Sequence, residues 1–214
     1  MNRNSPTSRF WSGPRALSRG QLRWLALLAL WLISTEVAQA HLTSGESGGF
    51  AAGFEHPWSG WDHIIAMIAV GLWGAQLGAP ALWLLPVAFP LVMAVGGFLG
   101  LIGVHLPGVE IGIALSAVAL GAAVGLEVRP PLWIAAVLVG AFGLFHGHAH
   151  GAELPPGGDA LLYSIGFVVA TGTLHAVGIG LGLVHRWRGG RLALRVAGAL
   201  IATMGGMFLW QAIH

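Results

Sequence analysis

The chain has 214 residues, 56% of them hydrophobic and only 8% charged, with a mean hydropathy of +0.76. This composition is typical of a membrane protein and excludes an ordinary soluble domain. The absence of Cys excludes disulfides, thiolate metal sites and thiol catalysis. The absence of Lys excludes a Walker phosphate-binding lysine and Schiff-base cofactors. The chain is therefore not an ATP-driven pump of the P-loop kind.

Residues 1–40 have the pattern of a cleaved secretory signal peptide. Five arginines accompany a short apolar core at 24–33, and Ala38-Gln39-Ala40 forms a small-x-small cleavage site. An uncleaved first helix is the alternative, which the short core disfavours. Cleavage after Ala40 removes the five arginines and Glu36, which changes the formal net charge from +2 to −2. The high pI of the whole chain, about 10.4, therefore gives no reason to expect nucleic-acid binding.

Six apolar segments follow, and each is long enough to span a bilayer as a helix. They lie near 60–79, 81–104, 109–127, 131–148, 160–184 and 192–212. Pro86 and Pro90 are expected to kink the second segment, and paired glycines such as Gly96 and Gly100 suit close helix packing. The sequence therefore predicts an all-α, polytopic membrane bundle with six transmembrane helices in one domain, 41–214.

The remaining arginines predict the orientation of these segments. They lie only in or beside the loops between segments three and four and between segments five and six: Arg129, Arg186, Arg188, Arg191 and Arg195. Cytoplasmic loops of membrane proteins carry an excess of arginine. Both termini of the mature chain are then outside, and a cleaved signal peptide predicts the same topology for the bacterial cytoplasmic (inner) membrane.

A first group of metal donors opens segment one, where His56, Asp62, His63 and Met67 occur within HPWSGWDHIIAM. His63 and Met67 are four residues apart, so they share a helix face. Asp62 can ligate a metal directly or orient the neighbouring imidazole. Ionisable groups next to a lipid-embedded segment are expensive and favour a functional interpretation. The alternative is that Asp62 caps the helix and the histidines lie at the interface.

A second group lies in FHGHAHGAE at 145–153. If the helix continues, His146, His150 and Glu153 share one face and His148 points elsewhere. If Gly147 and Gly151 end the helix, the three histidines line an extended strip instead. Both arrangements suit a first-row divalent ion, and a polar loop rich in histidine is the alternative.

Three further candidates rest on their placement in the sequence: Glu110, His175 and His41. Glu110 lies above a stripe of small residues in segment three, and Ser164, Thr171 and His175 fall on one predicted face of segment five. Packing alone is the alternative for both stripes. His41 becomes the first residue of the mature chain, so its free α-amine and imidazole can chelate Ni²⁺. The alternative is that His41 merely follows the cleavage site.

The pattern HPxxGxDHxxxMxxVG at 56–71 resembles the signature of the HupE/UreJ family of nickel permeases. FHGHAHGAE at 145–153 and ATGTLH at 170–175 resemble the other two signatures of that family. The resemblance covers roughly 41–214, and the first motif is specific because many positions follow a fixed pattern.

The resemblance implies secondary import of Ni²⁺ for hydrogenase or urease maturation, by a permease domain that is not an enzyme. It implies that His56, Asp62 and His63 bind the ion first, and that five further residues complete the route: His146, His148, His150, Glu153 and His175. The implied partners are the ion, the lipid bilayer and cytoplasmic nickel-maturation proteins. A Co²⁺ permease remains an alternative because Co²⁺ accepts the same ligands. A membrane-embedded zinc hydrolase and a metal-storing maturation protein also remain.

Overall fold

A computed structural model describes residues 49–154 and 159–214, and these residues form an all-α bundle. The predicted signal peptide at 1–40 and His41 lie outside the described residues. The helices are α1 (Phe50–Glu55), α2 (Trp61–Leu77), α3 (Ala81–Leu101), α4 (Val109–Gly125), α5 (Leu132–Ala152), α6 (Ala160–Gly182) and α7 (Arg188–Ile213). Short 3₁₀ turns at His56–Trp58 and Leu183–Arg186 precede α2 and α7.

Helices α2 to α7 coincide with the six predicted segments, and the predicted all-α class is confirmed. Four of them are long and apolar enough to cross a membrane: α3, α5, α6 with its following 3₁₀ turn, and α7. Helix α4 is apolar but has 17 residues, and α2 also has 17. Helix α3 continues through both Pro86 and Pro90.

The six helices associate as three close pairs, α3 with α5, α4 with α7, and α2 with α6. Glycines permit the close approach in each pair. A Cβ at Gly147 would collide with the Met93 carbonyl, one at Gly198 with the Gly125 backbone, and one at Gly71 with the His175 carbonyl. We call each of these close helix contacts a glycine seam. They explain why small residues recur at helix spacing in this apolar sequence.

Helix α2 lies at the centre of the bundle, since 12 of its 17 residues are buried. At its C-terminal end the Trp73 indole donates to the Val128 carbonyl (2.9 Å), and the Gln76 amide donates to the Val124 carbonyl (3.1 Å). Helix α3 instead presents large apolar side chains outward, such as Trp83 and Leu91. The central position of α2 therefore places His63 in the interior, where polar groups need partners.

Candidate metal site

Three imidazole nitrogens meet in the interior of the bundle. His63 Nδ1 on α2 lies 3.3 Å from His146 Nδ1 and 3.2 Å from His150 Nε2, both on α5. His63 is 2% exposed and His146 is 1% exposed. One ring nitrogen of each histidine lies within 4.8 Å of those of the other two, so one ion can contact all three residues. We call His63, His146 and His150 the buried triad.

A second group of donors lies nearer the surface and uses the other nitrogen of His150. His150 Nδ1 lies 2.8 Å from His56 Nε2, and the Glu153 carboxylate lies 3.3 Å from His56 Nε2 and 3.6 Å from His150 Nδ1. His56 reaches this position from the 3₁₀ turn that precedes α2. We call His56, His150 and Glu153 the peripheral triad.

The two triads are contiguous because they share one imidazole. Helix α5 continues to Ala152, which excludes the extended strip and puts His146, His150 and Glu153 on one face. Only the imidazole ring of His150 thus separates an ion bound at the peripheral triad from the buried triad. Because His146, His150 and Glu153 are spaced by four and three residues along α5, their side chains lie one above another on the same helix face.

Glu153 is ionised at every physiological pH. Hydrogen bonds with His150 and His56 lower the pKa of this carboxyl from its usual 4.5 to about 2. Glu153 follows the last residue of α5, and its side chain is 57% exposed. The peripheral triad therefore carries a fixed negative charge beside two imidazoles, which is a suitable set of donors for a divalent cation.

Asp62 joins neither triad, although the sequence groups it with His56 and His63. Successive helical residues point about 100° apart, so Asp62 and His63 face different neighbours. Asp62 lines a cavity of about 260 Å³ with Glu110, between α2, α4 and α7. It is not a helix cap either, because the N-cap of α2 is Gly60 without a side-chain hydrogen bond. We call this space the acidic cavity.

His148 also lies outside both triads. Its Nε2 donates to the Val104 carbonyl at 2.6 Å, which ties α5 to the segment after α3. His148 therefore makes a local structural contact and points away from His146 and His150, as expected if the helix continues.

His175 and Met67 are buried on neighbouring helices without joining a triad. His175 is 1% exposed, and neither of its ring nitrogens has a hydrogen-bond partner among the described residues. The Phe89 ring lies between two histidines, 5.6 Å from the His146 ring and 5.5 Å from the His175 ring. Met67 is fully buried one turn after His63. Ser164 is exposed and bonds to its own helix at Ala160, so the predicted stripe consists of Thr171 and His175 only.

Two side chains that the sequence did not single out contact the buried triad. Ser116 Oγ on α4 lies 2.9 Å from His146 Nε2. The Phe167 ring on α6 lies 4.6 Å from the His150 ring and 5.3 Å from the His63 ring. Ser116 is the lone hydroxyl in an apolar segment, which is a signal that could have identified it. A phenylalanine in such a segment carries no comparable signal.

Comparison with known proteins identifies the family of the chain. The model of the family described as "HupE / UreJ protein" matches residues 28–208. The chain belongs to the HupE / UreJ family. A curated relative, "Protein HupE" of Rhizobium leguminosarum bv. viciae, is 46% identical over 185 residues, which cover 86% of this chain and 94% of the relative. No solved structure matches the chain. As a HupE / UreJ member it is a multi-pass membrane protein, of a family associated with nickel uptake for hydrogenase and urease.

Proposed function

We propose that this protein is a secondary importer of Ni²⁺ that supplies hydrogenase or urease maturation, and that it has no enzymatic activity. The observation that carries the proposal is the convergence of His63, His146 and His150, each with one ring nitrogen within 4.8 Å of those of the other two. Imidazole nitrogen is a preferred donor for Ni²⁺, and Co²⁺ is the alternative cargo because it accepts the same ligands.

The proposed route begins at the surface and leads inward through the shared imidazole. The ion first binds the peripheral triad, where Glu153 supplies charge, and then passes across His150 to His63 and His146. The acidic cavity attracts hydrated cations to the same end of the bundle through Asp62 and Glu110. His175 is the next donor beyond Phe89, with Met67 as an accessory ligand.

The chemistry of the buried triad favours passage over storage. Three neutral imidazoles replace part of the hydration shell of the ion without adding negative charge in the interior, so binding is strong enough for admission and weak enough for release. An inside-negative potential drives the ion inward by about 2.3 kcal/mol per charge per 100 mV.

The proposed topology has six transmembrane helices, α2 to α7, in the bacterial cytoplasmic membrane. The loops that carry Arg129 and Arg186 face the cytoplasm, so the peripheral triad and the acidic cavity lie toward the outside. Cleavage after Ala40 is compatible with this orientation, and it would leave His41 free to capture the ion before the peripheral triad receives it.

The test is uptake of labelled Ni²⁺ into cells that lack other nickel importers. We expect the wild-type chain to restore uptake and His63→Ala to reduce it to background, while both proteins reach the membrane in equal amounts. Thr203→Ala is the control, because Thr203 is exposed and bonds only to its own helix at Ala199. Uptake by His63→Ala at the wild-type rate would overturn the proposal, and so would wild-type cells that accumulate no nickel.

A further inference from the structure

Ser116 is a fully buried hydroxyl on α4 that contacts two acceptor-bearing groups. Its Oγ lies 2.6 Å from the Ile113 carbonyl oxygen, on its own helix, and 2.9 Å from His146 Nε2. Both distances are those of good hydrogen bonds. The direction of each bond therefore follows from the number of hydrogens available.

A serine hydroxyl has one hydrogen, and a carbonyl oxygen can only accept. The Ser116 hydrogen is therefore donated to Ile113, and Ser116 Oγ accepts from His146 Nε2–H. A neutral imidazole carries one N–H, so His146 Nδ1 has a free lone pair. That lone pair lies at the buried triad, 3.3 Å from His63 Nδ1.

The partners of the other two histidines act differently. Thr171 Oγ1 lies 3.4 Å from His63 Nε2, which is too long to determine which atom donates. His150 Nδ1 lies closest to His56 Nε2, at 2.8 Å, and either of two imidazoles can donate to the other, so this contact does not fix the tautomer of His150. Ser116 is the hydroxyl with the better defined role.

We propose that Ser116 is a positioning residue that holds His146 in the tautomer whose Nδ1 lone pair faces the transported ion. This inference rests on the proposed metal site and adds to it a residue of α4, a helix that supplies no ligand to the buried triad. Hydrogen bonds of this kind fix the tautomer and ring orientation of metal-binding histidines.

Loss of the Ser116 hydroxyl should reverse which tautomer of His146 is favoured. In Ser116→Ala, a proton on His146 Nε2 would be a buried donor without a partner, which is unfavourable. A proton on Nδ1 can instead be donated to His63 Nδ1. The proton then occupies the centre of the triad, and Ni²⁺ must displace it before binding.

The experiment measures Ni²⁺ affinity and imidazole ¹⁵N chemical shifts in the full-length protein purified in detergent. The His146 signals are assigned by their loss in His146→Ala. We expect the wild-type spectrum to show a protonated Nε2 and an unprotonated Nδ1, and Ser116→Ala to reverse the two. We expect Ser116→Ala to weaken Ni²⁺ binding about tenfold to a hundredfold. Ser116→Thr, which keeps the hydroxyl, should retain the wild-type tautomer, and Thr203→Ala is the matched loss of a hydroxyl elsewhere.

Unchanged affinity and tautomer in Ser116→Ala would overturn the inference while leaving the proposed function intact. If Ser116→Ala does not fold, the wild-type spectrum still decides, because a protonated His146 Nδ1 contradicts the inference by itself. If the wild-type protein binds no Ni²⁺ at all, the proposed function fails first, and the two failures are therefore distinguishable.

Discussion

His63 Nδ1 and His146 Nδ1 lie 3.3 Å apart, although 83 positions separate the two residues in the sequence. They come from helices of different close pairs, α2 with α6 and α3 with α5, so their approach is a product of the whole bundle. Two buried nitrogens at this distance repel each other when both present lone pairs, and either a proton or a cation between them removes the repulsion.

The first prediction compares two histidines that are two residues apart. His146→Ala removes a nitrogen from the buried triad and should reduce Ni²⁺ uptake at least about tenfold. His148→Gln keeps a donor for the Val104 carbonyl and should retain uptake within about twofold. Both are measured as initial rates in cells, normalised to protein in the membrane. Equal loss in the two variants would contradict the assignment of His148 to a structural contact.

The second prediction concerns the acidic cavity. Glu110→Gln removes a charge beside Asp62 and should raise the KM for Ni²⁺ by about threefold or more, with little change in maximal rate, because the carboxylates raise the local cation concentration. The effect should shrink at high ionic strength. Glu55→Gln is the matched control, since Glu55 is exposed on α1 and does not line the cavity. A lower maximal rate with unchanged KM would place Glu110 in the transport step instead.

The third prediction is a pH dependence of stability. The folded-state pKa of Glu153, about 2, is lower than its usual 4.5, so its ionised form stabilises the fold above pH 4.5, and this contribution is lost as the pH falls from 4.5 to 2. In detergent with a chelator present, Glu153→Gln should unfold about 1–3 °C below the wild type at pH 6, a small shift because the carboxylate is half-exposed. The difference should diminish at pH 3. A constant difference across this range would show that Glu153 stabilises by packing alone.

The fourth prediction tests the seam between α3 and α5. A Cβ at Gly147 would collide with the Met93 carbonyl, so Gly147→Ala should lower the free energy of unfolding by about 1–3 kcal/mol. Gly172 has open space at the same position of its side chain, and Gly172→Ala should be neutral or stabilise α6 by about 0.5–1 kcal/mol. Thermal unfolding of the purified proteins measures both changes, and a stable Gly147→Ala protein would show that the seam can relax.

The fifth prediction concerns Glu127, which has a φ of +53° just after α4. This left-handed conformation is unfavourable for residues with a side chain. Glu127→Gly should therefore raise the free energy of unfolding by about 0.5–1 kcal/mol. Leu126→Gly is the neighbouring control, since Leu126 has a φ of −92° and should gain nothing. A less stable Glu127→Gly protein would show that the carboxylate makes a stabilising interaction.

Apolar segment lengths predicted the helices well, because a segment that must hide its backbone from lipid has few alternatives to a helix. The spacing of His146, His150 and Glu153 predicted a common face only if the helix continued past Gly147 and Gly151, and the structure shows that it continues to Ala152. Asp62 lies apart from His63 because adjacent residues of a helix point to different neighbours, which proximity in the sequence does not reveal. Which helix lies against which cannot be inferred from one sequence, so neither Ser116 nor Phe167 could be connected with the histidines.

Because of the three glycine seams, each close helix pair is expected to move as one rigid body. Within each pair the two backbones are already in contact, so one helix cannot slide along its partner without collision. His63 belongs to one pair, whereas His146 and His150 belong to another. A displacement of one pair against another as rigid bodies changes the distances within the buried triad while both seams stay intact. The distances between the three nitrogens of the buried triad can thus increase or decrease through motion of one helix pair relative to another, and no helix has to unwind.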